Sequence, residues 1–317
     1  MEAIADHVER RKSARIFFGR RDYVDPDMVI LNVKALGYEF ARALADKNAA
    51  RKVASPPATL LKSKLCTQAD FDSDWFVFWA GEMNAAPIFQ RKLWEFCFIA
   101  QTLWREGMLN SGRNGLGFGC GEEPLPSLFA KYGVSVLATD QPNAGEWVSG
   151  RQHASAADRL RLSAICPEES LLQNIGFRAV DMKALPGDLN GRFDFCWSAC
   201  ALEHLGTLAA GLDFIEASLA SLKPGGIAVH TTEFNLSNGM TLDNRNIVLY
   251  QRRHVVALAE RLKLRGYRVA ELDFCRGHGF MDYFVDTPPW TNHPGAQHLK
   301  LYIQGFPCTS FGLIVRS

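Results

Sequence analysis

The spacing of hydrophobic and polar residues changes character near residue 110. Before that point apolar residues recur at helical spacing over residues 33–52 and 88–109, with a proline-broken connector, SPPATLLKSKLC, between them. After it, short apolar runs alternate with helical stretches, which is typical of a mostly parallel sheet with covering helices. We therefore predict an α/β fold, with an N-terminal helical cap over residues 1–110 and a sheet domain over residues 111–317.

Seven of the apolar runs are predicted to be strands of one sheet with helices on both faces. They cover residues 115–119, 135–140, 177–182, 193–199, 226–234, 267–274 and 310–316. A helix between the fourth and fifth strands must end before Pro224-Gly225-Gly226, and another over residues 251–265 should end at Gly266, a residue suited to a left-handed cap.

Length and composition narrow the classes of function. A chain of 317 residues, 47% of them hydrophobic, can bury a large core. The net charge of +1 gives no general field for nucleic acid or an anionic membrane, and the basic stretch at residues 9–21 is interpreted as solvated surface. No signal peptide or membrane-spanning run is found, so we expect a cytoplasmic protein without a nucleic-acid or membrane partner.

Eight cysteines occur, mostly inside apolar runs such as WEFCFIA and FDFCWSAC. Cysteine in such a setting behaves as a small hydrophobic residue, and a cytoplasmic chain keeps its thiols reduced. Because no CxxC pair is present, we predict buried thiols and no metal site.

The glycine-rich stretch at residues 114–140, NGLGFGCGEEPLPSLFAKYGVSVLATD, carries the strongest chemical signal. A strand that ends in Gly119-Cys120-Gly121 and turns into a helix near Pro124 lets bare backbone approach a ligand. Asp140 falls at the tip of the next strand, from which a carboxylate can accept two hydrogen bonds from ribose hydroxyls. The pattern predicts a ligand with an adenosine-like ribose.

Further segments follow this loop in a characteristic order: VDM at residues 180–182, then FDFCWSACALEHL, a helix, LKPGG and IAVHTTEF. Together they resemble the class I S-adenosylmethionine-dependent methyltransferases over residues 112–317. The resemblance implies a Rossmann-like sheet whose seventh strand inserts antiparallel between the fifth and sixth. It also implies S-adenosylmethionine as the cofactor.

The resemblance assigns cofactor-binding roles residue by residue. The loop Gly119-Cys120-Gly121 would lie under the methionine and ribose, and Asp140 would bind the ribose. Asp181 would accept from the adenine amino group with Met182 packed beside the ring. Ser198, after the fourth strand, would flank the methionine end.

The chain departs from the family pattern at two positions. Gly117 stands where the family usually has an acid, and Glu123 replaces the third loop glycine. Glu122 or Glu123 would then meet the cofactor's ammonium group in place of the missing acid, and the loop is similar to the GFGxGxEPLP-type loop of a bacterial subgroup. A nicotinamide dinucleotide is the rival ligand, but it requires GxGxxG, and two carboxylates here would repel a pyrophosphate.

Three residues near the ends of the fourth and fifth strands are candidates for catalysis: Glu233, His230 and His204. Ligands bind at this edge in open α/β sheets, and a hydroxyl acceptor needs a base, or a metal that lowers its pKa. His204 could instead fix its loop and His230 could be a hydrogen-bonded core residue, and both interpretations stay open.

The acceptor is predicted from two other segments. The insertion at residues 275–310 holds His278, His293, His298, Asp282 and Asp286 among aromatic residues, which suits a lid over a sugar-like acceptor, although its spacings are not those of a metal site. Residues 62–83, rich in tryptophan and phenylalanine, could line the acceptor pocket, dock the cap onto the sheet or form a homodimer contact.

The leading hypothesis is methyl transfer to a hydroxyl oxygen of a small acceptor, sugar-related or another secondary metabolite. Two alternatives belong to other classes. A catalytically degenerate methyltransferase fold would act as a binding or scaffold protein, and an NAD(P)-dependent reductase would bind a nicotinamide cofactor instead.

Overall fold

The computed structural model describes residues 25–142, 154–290 and 298–317. The basic stretch at residues 9–21 and His293 lie outside these described residues. All statements below concern the described part of the chain.

Ten strands form one sheet in the described residues. They are β1 (Ser63–Leu65), β2 (Asn114–Phe118), β3 (Ser135–Asp140), β4 (Ile175–Ala179), β5 (Phe193–Ala199), β6 (Leu222–Asn235), β7 (Arg268–Val269), β8 (Leu272–Asp273), β9 (Leu301–Ile303) and β10 (Phe306–Arg316).

Nine α-helices accompany them in the described ranges. They are α1 (Pro26–Ala49), α2 (Gln68–Phe71), α3 (Asp74–Glu82), α4 (Arg91–Arg105), α5 (Leu125–Lys131), α6 (Glu169–Leu172), α7 (Leu208–Ser218), α8 (Arg252–Leu264) and α9 (Phe280–Tyr283). Short 3-10 turns cover Ala157–Leu160, Gly187–Leu189, Leu202–His204 and Leu219–Ser221.

The sheet order confirms the predicted fold class. Its backbone is β4-β3-β2-β5-β6-β10, in which β4 to β6 are mutually parallel and β10 is antiparallel to β6. The last strand therefore inserts antiparallel beside the fifth, as the resemblance implied. The strand order reverses at β2, which has β3 on one side and β5 on the other, and such a reversal places a crevice at the carboxyl ends of the strands.

The predicted sixth strand differs from the structure. Residues 267–274 form two short strands, because β7 pairs with β10 at Val269 whereas β8 pairs with β1, which lies between β8 and β10. An N-terminal segment thus belongs to the sheet. The domain boundary near residue 110 stays a prediction, but residues 25–110 are not helical throughout.

Helix α4 packs across β5, β6 and β10, and most of its residues are buried. The close contact depends on Gly312 of β10, because a Cβ atom there would overlap the ring of Phe98. Helix α8 ends as predicted, with Gly266 in the left-handed region at φ 89°. A single glycine therefore permits the close packing of α4, and another ends α8.

The core has two parts, one on each face of the sheet. The face that α4 covers also receives residues 62–83, where Trp75, Phe76 and Trp79 are buried. This placement supports the docking interpretation of that segment over an acceptor pocket. None of the described helices is long and apolar enough to cross a membrane.

Candidate functional site

The glycine loop after β2 has the backbone that its sequence predicts. Gly119 and Gly121 are in the left-handed region, at φ 59° and 54°. Asp140, at the end of β3, accepts from the backbone N–H of Gly121 at 3.0 Å, of Ala154 at 2.9 Å and of Gln141 at 2.8 Å. The carboxylate therefore positions the loop at the point where the strand order reverses.

These bonds restrict what Asp140 can do for a ligand. An ionised carboxylate can accept about four hydrogen bonds. Three backbone N–H groups already donate to the carboxylate of Asp140. One position remains, so Asp140 can accept from one ribose hydroxyl in this arrangement rather than from two.

Glu123 points into the protein rather than toward a ligand. It is buried, and its Oε1 accepts from the indole Nε1 of Trp197 at 2.6 Å. Burial raises the pKa of Glu123 to about 8, while Trp197 and the charge of Lys92 act in the opposite direction. The suggestion that Glu123 meets a cofactor ammonium is therefore not supported by its orientation. Glu122 lies nearer the surface, 3.8 Å from Arg159.

The missing acid at Gly117 has a steric reason. A Cβ atom at Gly117 would overlap Cys120 Sγ and the Trp197 ring, because these two side chains already occupy that space. Trp197 is fully buried and holds Glu123. The two departures from the family pattern are therefore connected, because Gly117 leaves room for the Trp197 ring and Trp197 donates to Glu123.

We expect Gly117→Ala to lower the free energy of unfolding by about 1 to 3 kcal/mol, because the added methyl overpacks the core against Trp197. Gly81→Ala is the matched control, since nothing lies within 4 Å of its added methyl in helix α3. That variant should gain about 0.4 to 1 kcal/mol. Urea denaturation of both variants measures the difference, and equal effects would contradict the packing argument.

The other predicted cofactor-binding residues are distributed around the loop. Met182 is buried beside Gly119, with its sulfur 3.3 Å from the position of a Cβ there. Asp181 is exposed, and its Oδ1 accepts from Lys183 N–H at 2.8 Å. Ser198 is fully buried, and its hydroxyl contacts His230 Nδ1 at 2.8 Å.

The three predicted catalytic residues do not come together. His230 and Glu233 are three residues apart in β6, so their side chains project to opposite faces. His230 lies between the hydroxyls of Ser198 and Ser218, and burial lowers its pKa to about 3, which favours the core interpretation. His204 Nδ1 contacts the carbonyl of Asn246 at 2.9 Å, which fixes its loop.

Glu233 instead belongs to a group of ionisable side chains at the carboxyl ends of β5 and β6, beneath the first turn of α4. We call this group the edge cluster, and it consists of Arg91, Lys92, Glu95, Cys200, Glu203 and Glu233. The edge cluster adjoins the glycine loop, because Ala201, the residue after Cys200, lies against Gly119.

Glu95 is the centre of the edge cluster and is fully buried. Its carboxylate accepts from Cys200 Sγ at 2.9 Å, from Thr231 Oγ1 at 3.2 Å and from the hydroxyl of Ser310. Lys92 Nζ lies 3.3 Å from Glu95 and also donates to the carbonyl of Ala199 at 3.0 Å. The cluster thus joins α4 to three strands.

Glu233 pairs with Arg91 at 2.5 Å and is 4% exposed. Burial raises its pKa to about 7, although Arg91 favours the charged form. Of the three predicted catalytic residues, Glu233 alone lies in a group of ionisable side chains at the strand ends, where a carboxylate is placed to exchange a proton.

The insertion is tied to the N-terminal part of the chain. Asp286 is fully buried and contacts Lys34, Tyr38 at 2.8 Å and His298 at 2.9 Å. Asp282 accepts from the backbone N–H of Gln68 at 2.9 Å. Three of the polar residues predicted to form a lid therefore hold helices α1 and α2 in place.

A surface pocket of about 330 Å³ lies at the end of β8, away from the glycine loop. Cys275, an exposed thiol, lies there with its sulfur 3.7 Å from His278 Nε2. All eight cysteines are free thiols, and only Cys275 among them is exposed. The reduced state predicted from sequence thus fits the structure.

The sequence pattern did not identify Arg91, Lys92 and Glu95 as site residues, because they lie on a helix and not at the strand ends where ligands bind in open α/β sheets. A signal was present: Glu95 stands between Trp94 and Phe96, at helical spacing from the buried Phe98 and Ile99. A carboxylate on a buried helical face needs a partner, which is the pattern that identifies a polar site.

Neither a protein-family model nor a curated protein matches this sequence. Among solved structures, the cyclase SpnF is 18% identical over 54% of this chain and 60% of its own, with a TM-score of 0.39. A putative sarcosine dimethylglycine methyltransferase from Galdieria sulphuraria is 16% identical, over 73% of this chain and 75% of its own, with a TM-score of 0.41.

A SAM-dependent methyltransferase from Aquifex aeolicus is 14% identical, over 68% of this chain and 88% of its own, with a TM-score of 0.39. The matched part of this chain spans less than two thirds of SpnF. Similarities this low transfer neither an activity nor a substrate to this chain.

Proposed function

We propose that this protein is an S-adenosylmethionine-dependent methyltransferase that acts on a hydroxyl oxygen of a small acceptor. The observation that supports this most is the glycine loop at the reversal of strand order, which Asp140 holds from the neighbouring strand. The edge cluster lies beside the same loop and offers carboxylates to a hydroxyl proton.

The residues fit the two ends of the proposed cofactor unequally. Gly119, Asp140, Asp181 and Met182 provide a backbone approach, acceptors and an apolar contact for an adenosine. At the methionine end Glu123 is turned inward, whereas the neighbouring Glu122 is partly exposed. When bound, the cofactor supplies an activated methyl group.

The chain's own part in the reaction is to orient the acceptor and exclude water, which can contribute on the order of 7 to 11 kcal/mol. The hydroxyl proton passes to the edge cluster. The exposed Phe280, Tyr283 and Trp290 of the insertion support a sugar-related acceptor, whereas the buried Asp286 is occupied with structural contacts.

Calorimetric titration with S-adenosylhomocysteine tests the cofactor. We expect micromolar binding, weakened about 10- to 100-fold by Asp140→Asn, because a hydrogen bond to a charged group contributes about 1.5 to 3 kcal/mol. Asp158→Asn is the matched control, since Asp158 is 86% exposed and its carboxylate pairs with Arg161 rather than with a residue of the loop. NAD, titrated in parallel, should not bind.

A scaffold role is the second candidate, favoured by the packing over the loop. Met182 and Ala201 lie against Gly119, and Lys92 donates a hydrogen bond to the carbonyl of Ala199. Failure of folded protein to bind S-adenosylhomocysteine would support this role, and binding of NAD would support a reductase.

A further inference from the structure

Two buried carboxylates of the edge cluster each have one oxygen with a partner and one without. Glu203 Oε2 accepts from Thr232 Oγ1 at 3.1 Å, and Glu233 Oε1 pairs with Arg91. Glu203 Oε1 and Glu233 Oε2 have no hydrogen-bond partner among the described residues. Their side chains are 0% and 4% exposed, and an unsatisfied buried polar group costs about 1 to 3 kcal/mol. We therefore expect a cation or a hydrogen-bond donor to bind these two carboxylate oxygens.

A thiol completes the set of donors. One donor atom from each of Cys200, Glu203 and Glu233 lies within 4.8 Å of the others. Cys200 is in the left-handed region at φ 49°, and its N–H donates to the carbonyl of Thr231 at 3.1 Å, which fixes the direction of its side chain. A thiolate with two carboxylates is a donor set for zinc, and it leaves a fourth coordination position open.

The charges of the cluster also favour a cation. Three carboxylates, those of Glu95, Glu203 and Glu233, face the positive charges of Arg91 and Lys92, so one negative charge is unbalanced while the thiol is protonated. A divalent ion that displaces the thiol proton of Cys200 to solvent brings the total to zero, and Glu95 then loses the hydrogen bond from that thiol. Arg91 does not obstruct this, because a basic partner on the second oxygen of a ligating carboxylate orients that ligand.

We propose that Cys200, Glu203 and Glu233 bind one zinc ion, or a divalent ion of similar softness. The sequence alone predicted no metal site, because it contains no CxxC pair. Cys200 and Glu203 are close in sequence, but only the fold brings Glu233 of β6 beside them. A metal here would lower the pKa of an acceptor hydroxyl. The inference does not rest on methyl transfer, because metal stoichiometry is measured without cofactor or acceptor.

The experiment uses the full chain carrying Cys275→Ser, which removes the exposed thiol beside His278 as a competing site. After treatment with a chelator, titration with zinc should give one tight equivalent. Cobalt(II) should give a thiolate-to-cobalt charge-transfer band. Adding Glu203→Gln should weaken zinc binding about 100-fold, and adding Cys200→Ser should abolish the cobalt band. Glu123→Gln, a change at a buried glutamate outside the set, should leave both signals unchanged.

Absence of a saturable equivalent in the folded Cys275→Ser protein would overturn the proposal. So would zinc binding and a cobalt band that survive both Glu203→Gln and Cys200→Ser. The cobalt spectrum needs no substitution at the proposed ligands, so it remains decisive even where a ligand variant fails to fold. Binding of S-adenosylhomocysteine, measured on the same samples, reports separately on the proposed function.

Discussion

Glu95→Ala should lower the free energy of unfolding by roughly 3 to 5 kcal/mol, a large fraction of the stability of an ordinary domain. Glu95 is fully buried and accepts from Cys200, Thr231 and Ser310, with Lys92 nearby. Alanine would leave these donors and the half-buried positive charge of Lys92 without their acceptor. Urea denaturation, followed by circular dichroism, measures the loss.

Two further variants make this prediction specific. Glu260→Ala, at a residue 63% exposed, should change stability by less than about 0.5 kcal/mol. Glu95→Gln keeps one acceptor oxygen and should fall between wild type and Glu95→Ala. A loss for Glu95→Ala no larger than that for Glu260→Ala would show that the edge cluster does not hold α4 on the sheet.

Glu123→Gln should change the dependence of stability on pH. The pKa of Glu123 is about 8 in the folded protein, against 4.5 for the free side chain. Between these values the folded state binds one proton more than the unfolded state, so wild-type stability falls as pH rises through this window and levels off above it. Glutamine, which stays neutral, removes the fall.

At pH 5 we expect the Glu123→Gln variant and wild type to be nearly equal in stability, because Glu123 is protonated in the folded protein. At pH 9 the variant should be more stable by roughly 3 to 5 kcal/mol, the free-energy equivalent of the raised pKa. Guanidinium denaturation at pH 5, 7 and 9 measures this, with the exposed Glu260→Gln as control. A difference independent of pH would mean that Glu123 is ionised throughout, paired with Lys92.

The sequence predicted the parallel core of the sheet because each of those strands is a short, mostly apolar run between helical stretches. Residues 193–199 were predicted as a strand and form β5 with the same bounds. The glycine loop and Asp140 were located by residue type, since few residues other than glycine adopt the backbone that the loop requires.

The rest depended on tertiary contacts that a local pattern does not contain. Strand β1 lies between β8 and β10 and so separates β8 from the rest of the predicted sixth strand. Nothing in the sequence of Ser63–Leu65 identifies these partner strands. The direction of Glu123 depends on the indole of Trp197, which is remote in sequence. The edge cluster joins a helix to strands more than 100 residues away, so spacing alone could not reveal it.

The position of β1 has a consequence for how the chain is made. β1 pairs with β10, whose residues lie about 250 positions later in the chain. During synthesis the ribosome therefore releases β1 long before its partners exist, and the sheet can close only when the last strand has emerged. Until then helix α4, which packs on β10 as well as on β5 and β6, lacks part of the surface that covers it. The N-terminal third of the newly made protein thus exposes apolar side chains, and chaperones that bind apolar segments should influence the yield of folded protein.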